Sequence, residues 1–137
     1  MFSYPLDVQT DDIDHMGHVN NAVYLRWIQE AVIAFWQSRA PAEAVAQYLW
    51  IALEHTIRYL RPAFLGDALR AEMVVERTAG ARAYFSARVM RDTAILAEIS
   101  SCWCALDSAT QRPRRIEALV AARFFARDDT STLILAV

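Results

Sequence analysis

The sequence predicts an α+β fold in which a five-stranded antiparallel sheet curls around one long helix. Three observations carry that expectation. Strand-like and helix-like stretches follow the order strand, long helix, then four strands. The later strands are joined by tight turns, and consecutive strands so joined pair antiparallel. The helix is apolar around most of its circumference, so it needs cover on several sides, and the apolar face of one sheet provides it.

Residues 2–9 read as a short strand running into a polar loop, 10–18, crowded by Asp11, Asp12 and Asp14. The helix is expected over about 20–38, ending near Ala40-Pro41. Its apolar positions are Val23, Tyr24, Trp27, Ile28, Ala31, Val32, Phe35 and Trp36; Arg26, Gln29, Glu30 and Gln37 mark a narrow wet stripe. A second, short helix over 42–48 has Pro41 at its first turn, where proline is tolerated. The period then changes from helical to alternating. A strand over 50–61 places Ile51, Leu53, His55, Ile57 and Tyr59 on one face, and Glu54, Thr56 and Arg58 on the other. Pro62 and Gly66-Asp67 break it. Residues 68–78 alternate again, with Leu69, Ala71, Met73 and Val75 on the apolar face. Ala79-Gly80-Ala81 makes a hairpin into 82–91, and Arg91-Asp92-Thr93 turns the chain into a long strand over 94–107. A helical segment is expected over about 116–126. The closing run Thr132–Val137 reads equally as a docked strand or a frayed tail.

At 137 residues the chain suits one domain, 1–137, able to build a core without staples. Its 55% hydrophobic content exceeds the roughly 45–50% usual for soluble domains, which points to self-association or a greasy groove. The net charge of −2 gives no broad basic field for nucleic acid. All 14 positive charges are arginines, a residue suited to phosphates. Cys102 and Cys104 share one face of a strand and are read as reduced, structural thiols, which together with the lack of a signal-peptide pattern points to the cytoplasm. No run of 18 apolar residues predicts a membrane span. No His, Cys, Asp and Glu set has metal-ligand spacing and no glycine-rich phosphate loop occurs, so no metal or cofactor is expected.

The chemistry concentrates in Asp14-His15-Met16-Gly17-His18-Val19-Asn20-Asn21-Ala22-Val23-Tyr24. A polar loop feeding a helix start presents N–H groups without intrahelical partners and the positive end of the helix dipole. An aspartate beside such a site can attack or direct water while the amides stabilise a developing oxyanion. An aspartate, with a reference pKa of about 3.9, is ionised at neutral pH and needs no activation for either task. His18 either holds the loop or orients water or substrate. Asn20 and Asn21 are good capping residues, a role compatible with presenting an amide. Gly17 suits a backbone conformation closed to other residues. Tyr24 and Trp27 read either as core or as the lining of an acyl tunnel, and His55 as a core histidine.

That loop, extended to Leu25, and the strand end Ile57-Arg58-Tyr59-Leu60-Arg61-Pro62-Ala63 with Gly66-Asp67 resemble the hotdog-fold acyl-CoA thioesterases of the 4-hydroxybenzoyl-CoA thioesterase group. The resemblance runs from about residue 3 to 107. It implies a homodimer whose sheets join edge to edge, often paired into homotetramers, with active sites at the dimer interface. It implies Asp14 as nucleophile or general base and the backbone amide of Asn21 as the group that polarises the thioester carbonyl. Asn20, Tyr24 and Trp27 would border the substrate, and Arg77 and Arg82 would meet the phosphates of coenzyme A. The His-Val-Asn-Asn form of the loop points to fatty rather than aryl acyl-CoA. Two alternatives remain on the same fold: an enoyl-thioester hydratase or dehydratase, and a non-catalytic acyl-binding module. Against the first, Asp14 and His18 stand four apart with no proline between them.

Overall fold

A computed structural model describes residues 1–125. The elements are β1 (Phe2–Leu6), a 3-10 turn (Thr10–Asp12), α1 (Val23–Arg39), α2 (Ala42–Gln47), β2 (Tyr48–Tyr59), β3 (Leu69–Ala79), β4 (Arg82–Arg91), β5 (Ala94–Asp107) and α3 (Ala118–Phe124). The expected helix over 116–126 is thus shorter, and the run 132–137 lies outside the described residues. The five strands form one antiparallel sheet in the order β1-β3-β4-β5-β2.

Helix α1 forms the axis of the core. Tyr24, Trp27, Ile28, Ala31, Val32, Phe35 and Trp36 are all buried, at i, i+3, i+4 spacing that wraps more than one face of a helix. The sheet supplies the facing layer: Leu69, Ala71, Met73 and Val75 from β3, Ala83, Phe85, Ala87 and Val89 from β4, and Ala97, Ile99, Trp103 and Ala105 from β5. Small alanines opposite large aromatics let the layers interdigitate. The helix stops at Ala40, whose extended backbone (φ −79°, ψ 145°) is what the ring of Pro41 imposes on its predecessor. At its far end Trp36 meets Tyr48, Trp50 and Phe124 with ring centroids 5.3–5.8 Å apart, so α3 seals that end of the core.

Two expectations about local structure are corrected. The helix begins at Val23 rather than near 20, because Asn20–Ala22 form a turn: the Asn20 side chain accepts the Ala22 N–H at 2.9 Å, and the Asn20 carbonyl accepts the Val23 N–H at 2.9 Å. On β2, Ile51 and Leu53 do not share the inner face with His55 and Ile57. The register against β5 jumps between Ala52 and Glu54, leaving Leu53 as an extra residue. Such a bulge resets the alternation, so Trp50 and Ala52 pack inward before it, His55 and Ile57 after it, and Ile51 and Leu53 are left 45% and 46% exposed. β2 is an edge strand, so these leucine and isoleucine side chains flank an unpaired ladder.

Candidate active site

The loop between β1 and α1 is held at four points. Its neck is an antiparallel bridge between Ile13 and Val19. Within it, the Asp14 N–H donates to the His18 carbonyl and the Gly17 N–H to the Asp14 carbonyl, both at 3.0 Å. This tight turn needs a left-handed residue, and Gly17 supplies φ +83°. The Val19 N–H donates to the Ala63 carbonyl at 2.8 Å, tying the loop to the segment after β2. The Tyr59 hydroxyl donates to the Asn21 carbonyl at 2.9 Å, pinning the residue just before the helix.

The fourth anchor is an ion pair that inspection of the sequence does not single out. Asp12 is buried, at 4% exposure, and receives the Arg26 guanidinium through two parallel bonds of 3.0 Å. It also accepts the Gln9 N–H at 2.8 Å, and its carbonyl accepts the Asn20 N–H at 2.8 Å. The Arg26 bonds are the main cause that holds the Asp12 carboxyl below its ordinary pKa. Helical periodicity assigns Arg26 to a wet stripe; in the fold it ties the first turn of α1 to the loop. The two residues stand 14 apart, beyond the reach of helix-spacing arguments.

Asp14 sits on this loop with its side chain 19% exposed. Its Oδ1 accepts the Met16 N–H at 2.9 Å and lies 4.0 Å from Nδ1 of His18. His18 in turn lines a pocket of about 240 Å³ together with Val19, Asn21, Tyr24, Tyr59, Leu60, Arg61 and Pro62. Among the described residues the Asn21 N–H has no hydrogen-bond acceptor. At the N-terminus of α1, beside this pocket, it is a donor available to a substrate oxygen. Tyr24 and Tyr59 pack edge-on at 5.1 Å and form the apolar wall. Burial pushes the Tyr24 phenol up to about 12, so it stays protonated at any ordinary pH.

The sequence-predicted site residues therefore separate into two groups. Asp14, His18, Asn20, Asn21 and Tyr24 lie on the loop and the start of α1; of these His18, Asn21 and Tyr24 line the pocket, while Asp14 reaches it only through His18, 4.0 Å away, and Asn20 lies in the turn before the helix. Trp27 does not line the pocket; it is 1% exposed and packs against the back of Tyr24 at 4.9 Å. Arg77 and Arg82 flank the β3–β4 hairpin at the other end of the sheet. Arg82 faces Cys104, which faces Ile51, whereas the pocket is bordered by Tyr59. Eight residues of strand at about 3.3 Å each put these two ends roughly 25 Å apart within one chain. The Arg77 guanidinium lies 3.7 Å over the Tyr84 ring. Arg61, from the strand-end motif, is the arginine that borders the pocket. His55, half-buried on β2, bonds through Nδ1 to the Ser101 hydroxyl at 2.9 Å, and burial lowers its pKa. No group of three His, Cys, Asp or Glu side chains among the described residues is arranged to hold a metal ion.

A single five-stranded antiparallel sheet wrapped around one long helix, with an acid-bearing loop at the helix start, is the hotdog architecture. A family model described as the thioesterase-like superfamily matches residues 8–124, and the chain belongs to that superfamily. The acyl-CoA thioesterase YbgC of Haemophilus influenzae is 29% identical over 129 residues, covering 90% of this chain and 93% of that protein. A thioesterase from Thermus thermophilus, complexed with coenzyme A and Zn, superimposes with a TM-score of 0.79 at 25% identity, covering 90% of this chain and 97% of that one. YbaW, a probable thioesterase from Escherichia coli, superimposes with a TM-score of 0.77 at 20% identity, covering 90% and 96%.

Proposed function

We propose that this protein hydrolyses acyl-CoA thioesters to the free acid and coenzyme A, as one domain, with Asp14 as nucleophile or general base. The observation that carries the reading is the open Asn21 N–H at the start of α1, bordering the same pocket as His18, behind which Asp14 is held. A thioester carbonyl bound at that amide gains charge on its oxygen during attack, where a preorganised donor contributes most. Asp14 attacks the carbonyl carbon directly or removes a proton from water. His18 orients the carboxylate, and Asn20 shapes the turn that aims the amide. The acyl group lies against Tyr24 and Tyr59, backed by Trp27; the His-Val-Asn-Asn loop favours a fatty acyl chain.

The site is completed by a second copy. The open edge of β2 carries Leu49, Ile51 and Leu53 at 43–46% exposure, an apolar strip beside unpaired backbone groups. Antiparallel pairing of two β2 edges buries it and turns the far end of each sheet toward the other subunit's pocket. Only in that arrangement do the partner's Arg77 and the partner's Arg82 approach the coenzyme A phosphates. Such dimers pair further into tetramers. The thiols of Cys102 and Cys104 are free, which suits the cytoplasm.

The test is release of coenzyme A from a panel of saturated acyl-CoAs of increasing chain length, with Asp14→Asn alongside the wild type. Loss of general acid–base or nucleophilic chemistry lowers kcat about 10²- to 10⁴-fold. Wild-type protein inert toward the whole panel, or Asp14→Asn within about threefold of wild type, overturns the reading. Hydration of an enoyl-CoA without thioester cleavage assigns the fold's other reaction instead. Ultracentrifugation of Ile51→Asp/Leu53→Asp tests the edge: a species of unchanged mass refutes it.

A further inference from the structure

We infer that Arg61 is a further cation, besides those of the β3–β4 hairpin, that meets the phosphate-bearing carrier at the mouth of the pocket. This rests on the thioesterase reading above and adds a binding residue to it. Many of the other arginines are committed elsewhere, wherever they lie in the fold. Arg26, Arg70, Arg88, Arg91 and Arg114 each hold a carboxylate, and Arg77 lies over Tyr84. Arg61 has neither a carboxylate nor a ring among the described residues, yet it lines the pocket.

Its backbone is held firmly. The Leu60 and Arg61 N–H groups both donate to the Leu96 carbonyl, at 2.8 and 3.1 Å. The next carbonyl, that of Pro62, accepts a bond from Arg91, which is itself paired with Asp67 at 2.8 Å. So the base of the Arg61 side chain is fixed while its guanidinium remains in water. No carboxylate lines this pocket. Its polar groups are the Arg61 guanidinium, the His18 imidazole, the Tyr59 hydroxyl and the Asn21 residue at the positive end of α1. A cleft with one uncompensated cation and the start of a helix at its edge attracts an anion. The buried side of the pocket, at Tyr24, is apolar and takes the acyl group. The exposed side, at Arg61, is where the carrier's neutral arm leaves toward solvent, and the long, exposed Arg61 side chain extends along that arm toward the phosphates at its end.

The experiment compares Arg61→Gln and Arg61→Lys with the wild type on one acyl group attached to coenzyme A or to N-acetylcysteamine, which has no phosphate. Arg123→Gln removes the same charge from the exposed face of α3 as a control. Arg61→Gln is expected to raise KM for the CoA thioester about tenfold at low salt with kcat little changed, the signature of lost uniform binding. The difference shrinks as salt screens the charge. KM for the N-acetylcysteamine thioester shifts far less, and Arg61→Lys recovers most of the CoA affinity. Equal effects on both thioesters, or no effect on either, overturn the inference. Calorimetric titration with coenzyme A keeps this separate from the proposed activity: unchanged affinity in Arg61→Gln refutes the role of Arg61 whether or not the wild type hydrolyses thioesters.

Discussion

Replacing Arg26 with alanine tests the ion pair that carries the Asp14 loop. Asp12 is 4% exposed and depends on two bonds from Arg26 and one from the Gln9 N–H. A bond to a charged group contributes about 1.5–3 kcal/mol when well made. Removing one member of a fully buried pair costs about 3–5 kcal/mol, because the survivor is left uncompensated. Arg26, however, is 47% exposed, so water reaches the gap it leaves and screens the loss. The expected destabilisation is therefore about 2 kcal/mol, below the range for a buried pair. For a domain of this size that lowers Tm by about 5–9 °C. The sign of the pH dependence follows from the direction of the shift. Arg26 holds the Asp12 pKa below its unfolded value, so the pair's contribution is present above about pH 4 and fades as pH falls through the folded pKa. Thermal melts of wild type and Arg26→Ala at pH 7 and in steps down to about pH 3 measure it. The Tm gap is widest near neutrality and narrows in acid. A gap that is the same at every pH refutes the electrostatic account and leaves only the packing of the arginine stem. Because Asp12 also accepts Asn20 through its carbonyl, kcat falls with stability.

Three further outcomes follow from the same geometry. Gly17→Ala meets no atom within 4 Å but is forced to φ +83°, so it costs about 1–2 kcal/mol through backbone strain alone, read in a denaturant melt. Tyr59→Phe removes the hydroxyl that holds the Asn21 carbonyl, destabilising by about 1 kcal/mol and, by misaiming the amide, lowering kcat more than it raises KM. Burial depresses the His55 pKa, so the unfolded chain binds this proton first; stability decreases as pH drops below about 6.5 and levels off below the folded pKa, and His55→Gln flattens that part of the pH–Tm curve.

The sequence by itself determined the element types and their order. Apolar side chains recur at helical spacing from Tyr24 to Trp36 and at every second position in 69–75 and 83–89, and both patterns are local. It also located the acid-bearing loop, since Asp14, His18, Asn20 and Asn21 are neighbours along the chain. Tertiary structure alone decided what depends on distant partners. The bulge at Leu53, which turned Ile51 and Leu53 outward, exists only against β5. The pair of Asp12 with Arg26 spans 14 residues, and the bond from Tyr59 to Asn21 spans 38. Arg77 and Arg82 carry the charge a phosphate needs, but strand length holds them at the far end of their own sheet, while Arg61 was brought to the pocket by the bonds to Leu96. Local periodicity is set by backbone geometry and can be read from one chain segment; placing a charge beside a cleft requires the closed sheet.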